Sequence, residues 1–275
     1  EMETLMKMLL RLIIVLAVLC PSIVLAEYIQ TTSVGNITYY LGSAQSFDNL
    51  QTCYIRKITY KNASDVKNYT FPARVSWVTE GSSSPKAPAV TKINSGVLAN
   101  CTDMQTVTIG TSISTIGMPC FRGCTSLTDI TIPGGCSSTS YCDASGVLFN
   151  GTKTILKKYP EGKVGASYTV PSTVTELTTY SMSNTKLTTV IFQGSAPSFG
   201  ECAFADNTSL QGIGYPQGIT GWPLLIDGVK TYAIPKTVQS VSAGQGTSNL
   251  GVTITWAENA VAASYKIYRA SSSTG

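Results

Sequence analysis

The stretch ISTIGMPCFRGCTSLTDITIPGG, residues 113–135, decides how the chain is read. It stacks without a gap on the segment before it, VTKINSGVLANCTDMQTVTIGTS, residues 90–112. Two later segments fall into the same columns. VTELTTYSMSNTKLTTVIFQGS (174–195) fits with one residue deleted, and APSFGECAFADNTSLQGIGYPQG (196–218) fits at full length. The first and fourth columns hold Val90/Ile93, Ile113/Ile116 and Val174/Leu177. A later column holds Leu98, Phe121, Met182 and Phe204. Each row closes on an alternating run: Met104/Val107/Ile109, Leu127/Ile130/Ile132, Leu187/Val190/Phe192 and Leu210/Ile213/Tyr215.

Self-similarity at a fixed period of this length marks a solenoid, in which no row can bury its apolar face alone. Period-two alternation at the row ends predicts short strands. Ile130 and Ile132 then point inward while Asp129 and Thr131 point outward. Neighbouring rows place these strands side by side, about 4.8 Å apart, as a parallel sheet. Gly110, Gly135 and Gly194, with Pro133 in the second row, mark the turns that stop each strand.

Composition supports a β-rich chain. Charged residues are 12% of the 275 and hydrophobic residues 43%, enough to bury a core and too apolar for global disorder. The net charge is +4 with no basic run, so the electrostatic footprint of a nucleic-acid partner is missing. Lys157-Lys158 is the densest basic spot and reads as a solvated hairpin tip. Histidine is absent. That excludes Ser-His and Cys-His nucleophilic pairs and His-ligated metal sites, and no cofactor is implied.

Residues 1–26 read as a secretory signal peptide: Lys7 and Arg11, then the apolar Leu12 to Leu19, then Val24-Leu25-Ala26 before a cut at Glu27. The rival is a lipid anchor on Cys20, against which Leu19 is too large. No later segment reaches membrane-spanning length, so no transmembrane segment is expected after signal removal. Without Cys20, seven cysteines remain: Cys53, Cys101, Cys120, Cys124, Cys136, Cys142 and Cys202. An odd number argues against a complete disulfide framework. A Cys136–Cys142 bridge before the hairpin is one pairing the spacing allows.

The rows resemble the leucine-rich repeats of BspA-type bacterial surface proteins, written V-x-x-I-x-x-x-A-F-x-x-C-x-x-L-x-x-I-x-I-P. The resemblance implies a mainly β or α/β right-handed solenoid with a 23-residue period and a parallel sheet. It places an N-terminal cap at 27–89 and repeats at 90–234. SGVLFNGTKTILKKYPEGKVGASYTVPSTV (145–174) looks like that family's hairpin insertion, set within 136–173, with strands Gly146–Phe149 and Thr154–Tyr159 turned at Asn150-Gly151. Asn-Gly between apolar runs is also a strong hairpin signal by itself. Leu98 and Met182 depart from the family's Phe, and Thr185 and Asn207 depart at its Cys column, so the last two rows are expected to pack more loosely. From residue 235 the sequence looks like the first strands of a truncated fibronectin type III β-sandwich, with Val252–Trp256 and Ser264–Ala270 as strands and Trp256 and Tyr265 as core aromatics. Residues from Gly244 onward are expected to pack poorly.

Candidate sites follow from the columns. Cys101, Cys124, Phe121 and Phe204 read as structural packing positions; Cys120 and Cys202 face inward beside them. The outward positions Thr106, Thr108, Asp129, Thr131, Thr189 and Ile191, continued by Gly212 and Gly214, line the concave sheet where solenoids usually bind. Glu201 and Asp206 form the one pairing that suggests glycosidase chemistry. Six Asn-x-Ser/Thr triplets begin at Asn36, Asn62, Asn68, Asn100, Asn150 and Asn207. The expectation is a secreted or surface-displayed, non-catalytic adhesion protein that binds a protein or glycan. The alternative is an ancillary region of a larger secreted enzyme, which a catalytic module beyond Gly275 would favour.

Overall fold

The computed structural model describes residues 28–43, 51–76, 86–134, 141–234, 242–245 and 252–255. The signal peptide, Cys20, Cys136, Trp256 and Tyr265 lie outside them. No α-helix occurs among the described residues, and no helix there is long and apolar enough to cross a membrane.

The chain winds as six rows, each with an entry strand and a closing strand. The entry strands are β3 (Thr52–Tyr60), β5 (Ala89–Ile93), β7 (Thr115–Ile116), β11 (Ile155–Lys158), β13 (Glu176–Leu177) and β15 (Ser198–Phe199). The closing strands are β4 (Asn68–Thr70), β6 (Thr106–Thr108), β8 (Asp129–Thr131), β12 (Ser167–Val170), β14 (Thr189–Phe192) and β16 (Gly212–Pro216). Strands of each kind pair in parallel, in registers such as Ile93↔Ile116, Val107↔Ile130 and Val190↔Ile213. These partners are buried, and Tyr168 and Phe199 in the same columns partly so, because each row supplies one apolar residue to a core shared with its neighbours.

Serine and threonine are frequent for a structural reason. Ser114, Thr175 and Ser198 each donate both the backbone N–H and the side-chain hydroxyl to one carbonyl of the preceding row, those of Thr91, Thr154 and Thr175. Thr128 and Thr188 do the same to Gln105 and Ala166. The hydroxyl at the start of a strand thus occupies the carbonyl's second lone pair.

The ladder ends are closed by antiparallel strands. β1 (Tyr28–Val34) and β2 (Ile37–Ser43) form a meander on β3. At the other end β17 (Leu225–Ile226) turns back on β18 (Val229–Ile234), which continues the closing sheet beyond β16. There Trp222 stacks on Tyr215 at 4.9 Å with the rings almost parallel, and the Phe192 and Phe199 rings lie 5.0 and 6.1 Å away. β19 (Ser242–Gln245) and β20 (Val252–Thr255) pair with each other as a separate antiparallel ribbon.

Between the third and fourth rows both ladders are interrupted by the hairpin β9 (Tyr141–Ala144) and β10 (Val147–Asn150). β10 pairs on its other side with β11, so the strand after the Asn150 turn is itself a rung of the solenoid. Asn150 builds that turn by accepting the N–H groups of Thr154 and Ile155, both at 2.9 Å. The run Val147-Leu148-Phe149 is apolar without alternation because both faces are buried. Leu148 joins the core of the first three rows, whereas Val147 and Phe149 join that of the last three. Tyr141 seals the open edge of β7, its hydroxyl accepting Ile116 N–H at 2.6 Å. Asp143 does the same for Ile132 N–H.

Candidate functional site

The outward positions divide between two sheets. Thr106, Thr108, Asp129 and Thr131 share the sheet β4-β6-β8, whereas Thr189 and Ile191 lie in the sheet of β12, β14, β16 and β18. The inserted hairpin causes the division: the far edge of β8 is taken by Gly146, whose carbonyl accepts Ile130 N–H at 3.1 Å. All six side chains are partly or fully exposed while Val107, Ile130 and Val190 between them are buried. Thr106 donates its hydroxyl to Asn68 Oδ1, and Lys163 Nζ lies 3.6 Å from the Asp129 carboxylate. Gly212 and Gly214 are not open positions. Tyr232 lies over both and Ile234 over the second, and a Cβ on either glycine would meet those side chains within 3 Å.

Phe121, Phe204, Cys101 and Cys124 are buried, as is Cys120, while Cys202 is half-buried. The Cys124 thiol donates to Leu98 O of the preceding row at 3.0 Å. Asn207, in the same column three rows later, makes the equivalent contact through Nδ2 to Met182 O at 2.8 Å. Its Nδ2 also donates to Phe204 O, and its Oδ1 accepts Thr185 N–H and Oγ1–H. The expected loose packing is therefore not found: Asn207 does the thiol's work with more hydrogen bonds, and Met182 is fully buried. Cys142 is disulfide-bonded; Cys136, its expected partner, lies outside the described residues. Glu201 and Asp206 are exposed, and no contact joins them.

Burial pushes the Cys53 thiol up to about 11 and those of Cys120 and Cys124 up to about 12. In the unfolded chain a thiol titrates at about 9.0. The unfolded state therefore loses protons first, and the stability these groups hold below pH 9 drains between pH 9 and about 12. A circular-dichroism titration is expected to show cooperative unfolding inside that window. A fold intact to its upper end would contradict the burial.

The turn between entry and closing strand carries the least expected feature. Ile55 to Tyr69, Ile93 to Val107, Ile116 to Ile130 and Phe199 to Ile213 are each 14 residues apart in number; Leu177 to Val190 is 13 and Leu156 to Tyr168 only 12. The fourth row thus lacks two residues of its turn. In the second and fifth rows a residue in the left-handed region, Asn100 (φ 62) or Asn184 (φ 51), donates its N–H to a carbonyl of the next row, Arg122 O or Ala205 O. Gly123 (φ 77) is the third row's counterpart, and the shortened row offers it no carbonyl. Glu161 Oε1 accepts that N–H instead, at 2.9 Å. Glu161 Oε2 accepts Asn184 Nδ2 from the fifth row at 3.0 Å.

Lys158 completes this plug. Its Nζ is 2.8 Å from Glu161 Oε1 and 3.1 Å from Tyr180 O, with both charged side chains 1% exposed. The solvated tip expected at Lys157-Lys158 is thus corrected: the hairpin turns at Asn150, and Lys158 is the inward residue at the end of β11. Burial holds its ammonium below the usual lysine range, against the opposing pull of Glu161. Above the plug the guanidinium of Arg122 lies 3.9 Å from the Tyr180 ring centroid, so the third row touches the fifth across the short fourth.

Beside the same break a groove of about 360 Å³ runs over β11, β13 and β15 towards β7. Ile116, Met118, Leu177 and Phe199 form its floor, and Lys157, Glu176 and Ser198 its rim. Sequence reading missed it because it arises from a gap between rows, which no column displays. Among the described residues no group of three or more metal-ligating side chains is gathered.

A parallel β-ladder of short rows with one repeated apolar template defines a leucine-rich-repeat solenoid. The BspA type Leucine rich repeat region matches in six copies over residues 32–145 and 163–223, and the chain belongs to that family. Family members are generally interaction modules, and no enzymatic family is indicated. The six copies agree in number with the six rows of the fold. The chain is also similar to the pneumococcal vaccine antigen PcpA, at 17% identity over 69% of this chain and 71% of that one, with a TM-score of 0.36. A leucine rich cell surface protein from Faecalibacterium prausnitzii is similar at 15% identity over 70% and 84%, with a TM-score of 0.31. A leucine-rich repeat protein from Eubacterium ventriosum is similar at 15% identity over 70% and 73%, with a TM-score of 0.27. No curated protein matches.

Proposed function

We propose that the protein is a secreted, surface-displayed and non-catalytic adhesion module that holds a protein or glycan against the outward faces of its closing strands. The observation that carries this reading is the face itself. Thr106, Thr108, Asp129 and Thr131 stand on a rigid sheet whose inward residues are fully buried, so a ligand would meet preordered groups. Little side-chain ordering would then oppose binding. The antiparallel β19–β20 ribbon suits the opening of a fibronectin type III spacer.

The test is a glycan array and a panel of immobilised extracellular-matrix proteins probed with the whole chain. The triple variant Thr106→Arg, Thr131→Arg, Thr189→Arg is expected to lose at least tenfold in binding while keeping its circular-dichroism spectrum, because surface substitutions change stability by only about 0.5 kcal/mol. Binding that survives the triple variant would remove these faces as the site.

A further inference from the structure

We propose that Lys158 and Asn184 are joined by an isopeptide bond that the protein forms itself, with Glu161 as the catalytic carboxylate. The plug has the parts this reaction needs. Lys158 Nζ and Asn184 Nδ2 hydrogen-bond opposite oxygens of one carboxylate, Nζ to Oε1 at 2.8 Å and Nδ2 to Oε2 at 3.0 Å. That shared acceptor holds the amine of the fourth row and the side-chain amide of the fifth on one carboxylate. Tyr180 O and Ser183 Oγ, at 3.1 and 3.5 Å from Nζ, fix the amine from the other side. Lys158 and Glu161 are sealed from water, whereas Asn184 is exposed and gives the leaving group a direct way out.

The step balances without an outside reagent. Glu161 Oε1 takes a proton from the Lys158 ammonium, and burial favours that transfer by disfavouring the charged amine. The freed lone pair forms the Nζ–Cγ bond to Asn184. The Cγ–Nδ2 bond breaks as Nδ2 receives the proton returned through Oε2 and departs as ammonia, while Nζ sheds its second proton to become the amide N–H. Ammonia takes up the remaining proton in solvent, and Glu161 is again a carboxylate. The bond ties the fourth row, which has the shortest turn, to the fifth. It would act as a staple at the place where the repeat is incomplete.

The test is the intact mass of the full chain, reduced and denatured, with peptide mapping. The expected result is a mass lower by one ammonia and a branched peptide joining Lys158 to Asn184. Glu161→Gln and Lys158→Arg are expected to restore the full mass. Asn184→Ala, at an exposed position that leaves the buried pair in place, restores it while keeping the fold by circular dichroism. A wild-type chain of full mass, with Lys158 and Glu161 simply an ion pair, would overturn the proposal. So would an ammonia loss that persists in Asn184→Ala or maps to other residues.

Discussion

Glu161→Ala is expected to destabilise the chain by about 3–5 kcal/mol in urea unfolding, because without the carboxylate the bond to Asn184 does not form and Lys158 stays a buried amine with no counter-charge. A surface salt bridge would contribute about 0–1 kcal/mol, so the size of the effect separates the two descriptions. Lys158 and Glu161 are each 1% exposed, which puts the pair firmly in the first class. Replacing both with apolar residues, Lys158→Met with Glu161→Leu, is expected to recover the part of the loss that comes from the unpaired buried charge. It should not recover all of it. Gly123 N–H would still lack its acceptor, and a buried unsatisfied donor costs about 1–3 kcal/mol. A double variant as unstable as Glu161→Ala would mean that the plug acts through something other than charge.

Phe121→Ala is the second large effect, at about 3–5 kcal/mol, because it empties a fully buried site in a column that adjoining rows share. Its neighbours Leu98 and Cys124 are also fully buried and held by the hydrogen bond from Cys124 to Leu98 O, so little collapse into the space is available. In a solenoid each row touches chiefly the rows beside it, so the damage should stay local. Urea unfolding of Phe121→Ala should therefore show the early loss of the first three rows, with the last three retained. Destabilisation below about 1 kcal/mol would show that the column is not packed as described.

The period and the inward columns were legible because they are local facts repeated: one apolar residue per row at one register, and a two-residue alternation in each closing strand. The first and fourth rows were harder to see. Ile55 and Ile93 are 38 apart in number and Ile116 and Leu156 are 40 apart, so intervening chain hid two rungs that obey the same register as the others. Lys158 and Glu161 were unreadable for a different reason. In KKYPEG, charges beside Pro and Gly look like a solvated turn, and only a turn two residues shorter than the third row's and one shorter than the fifth's turns them inward. Asn207 gave no sign of its role either, since an amide in a thiol column looks like a flaw until its four hydrogen bonds are drawn. The groove beside β11 belongs to the same break and has no sequence column at all. What escaped the sequence therefore lies mostly where the repeat is broken.

The six rows form one stack, joined across the interrupted ladders by the shortened fourth row. Hydrogen exchange of assigned backbone amides tests it directly. Gly123 and Gly162 N–H, which bridge the third and fourth rows through Glu161 Oε1 and Leu127 O, are expected to exchange as slowly as those of Thr128, Thr188 and Ser198. Fast exchange at Gly123 and Gly162, with protection kept on both sides, would mean two separate stacks and would contradict the account.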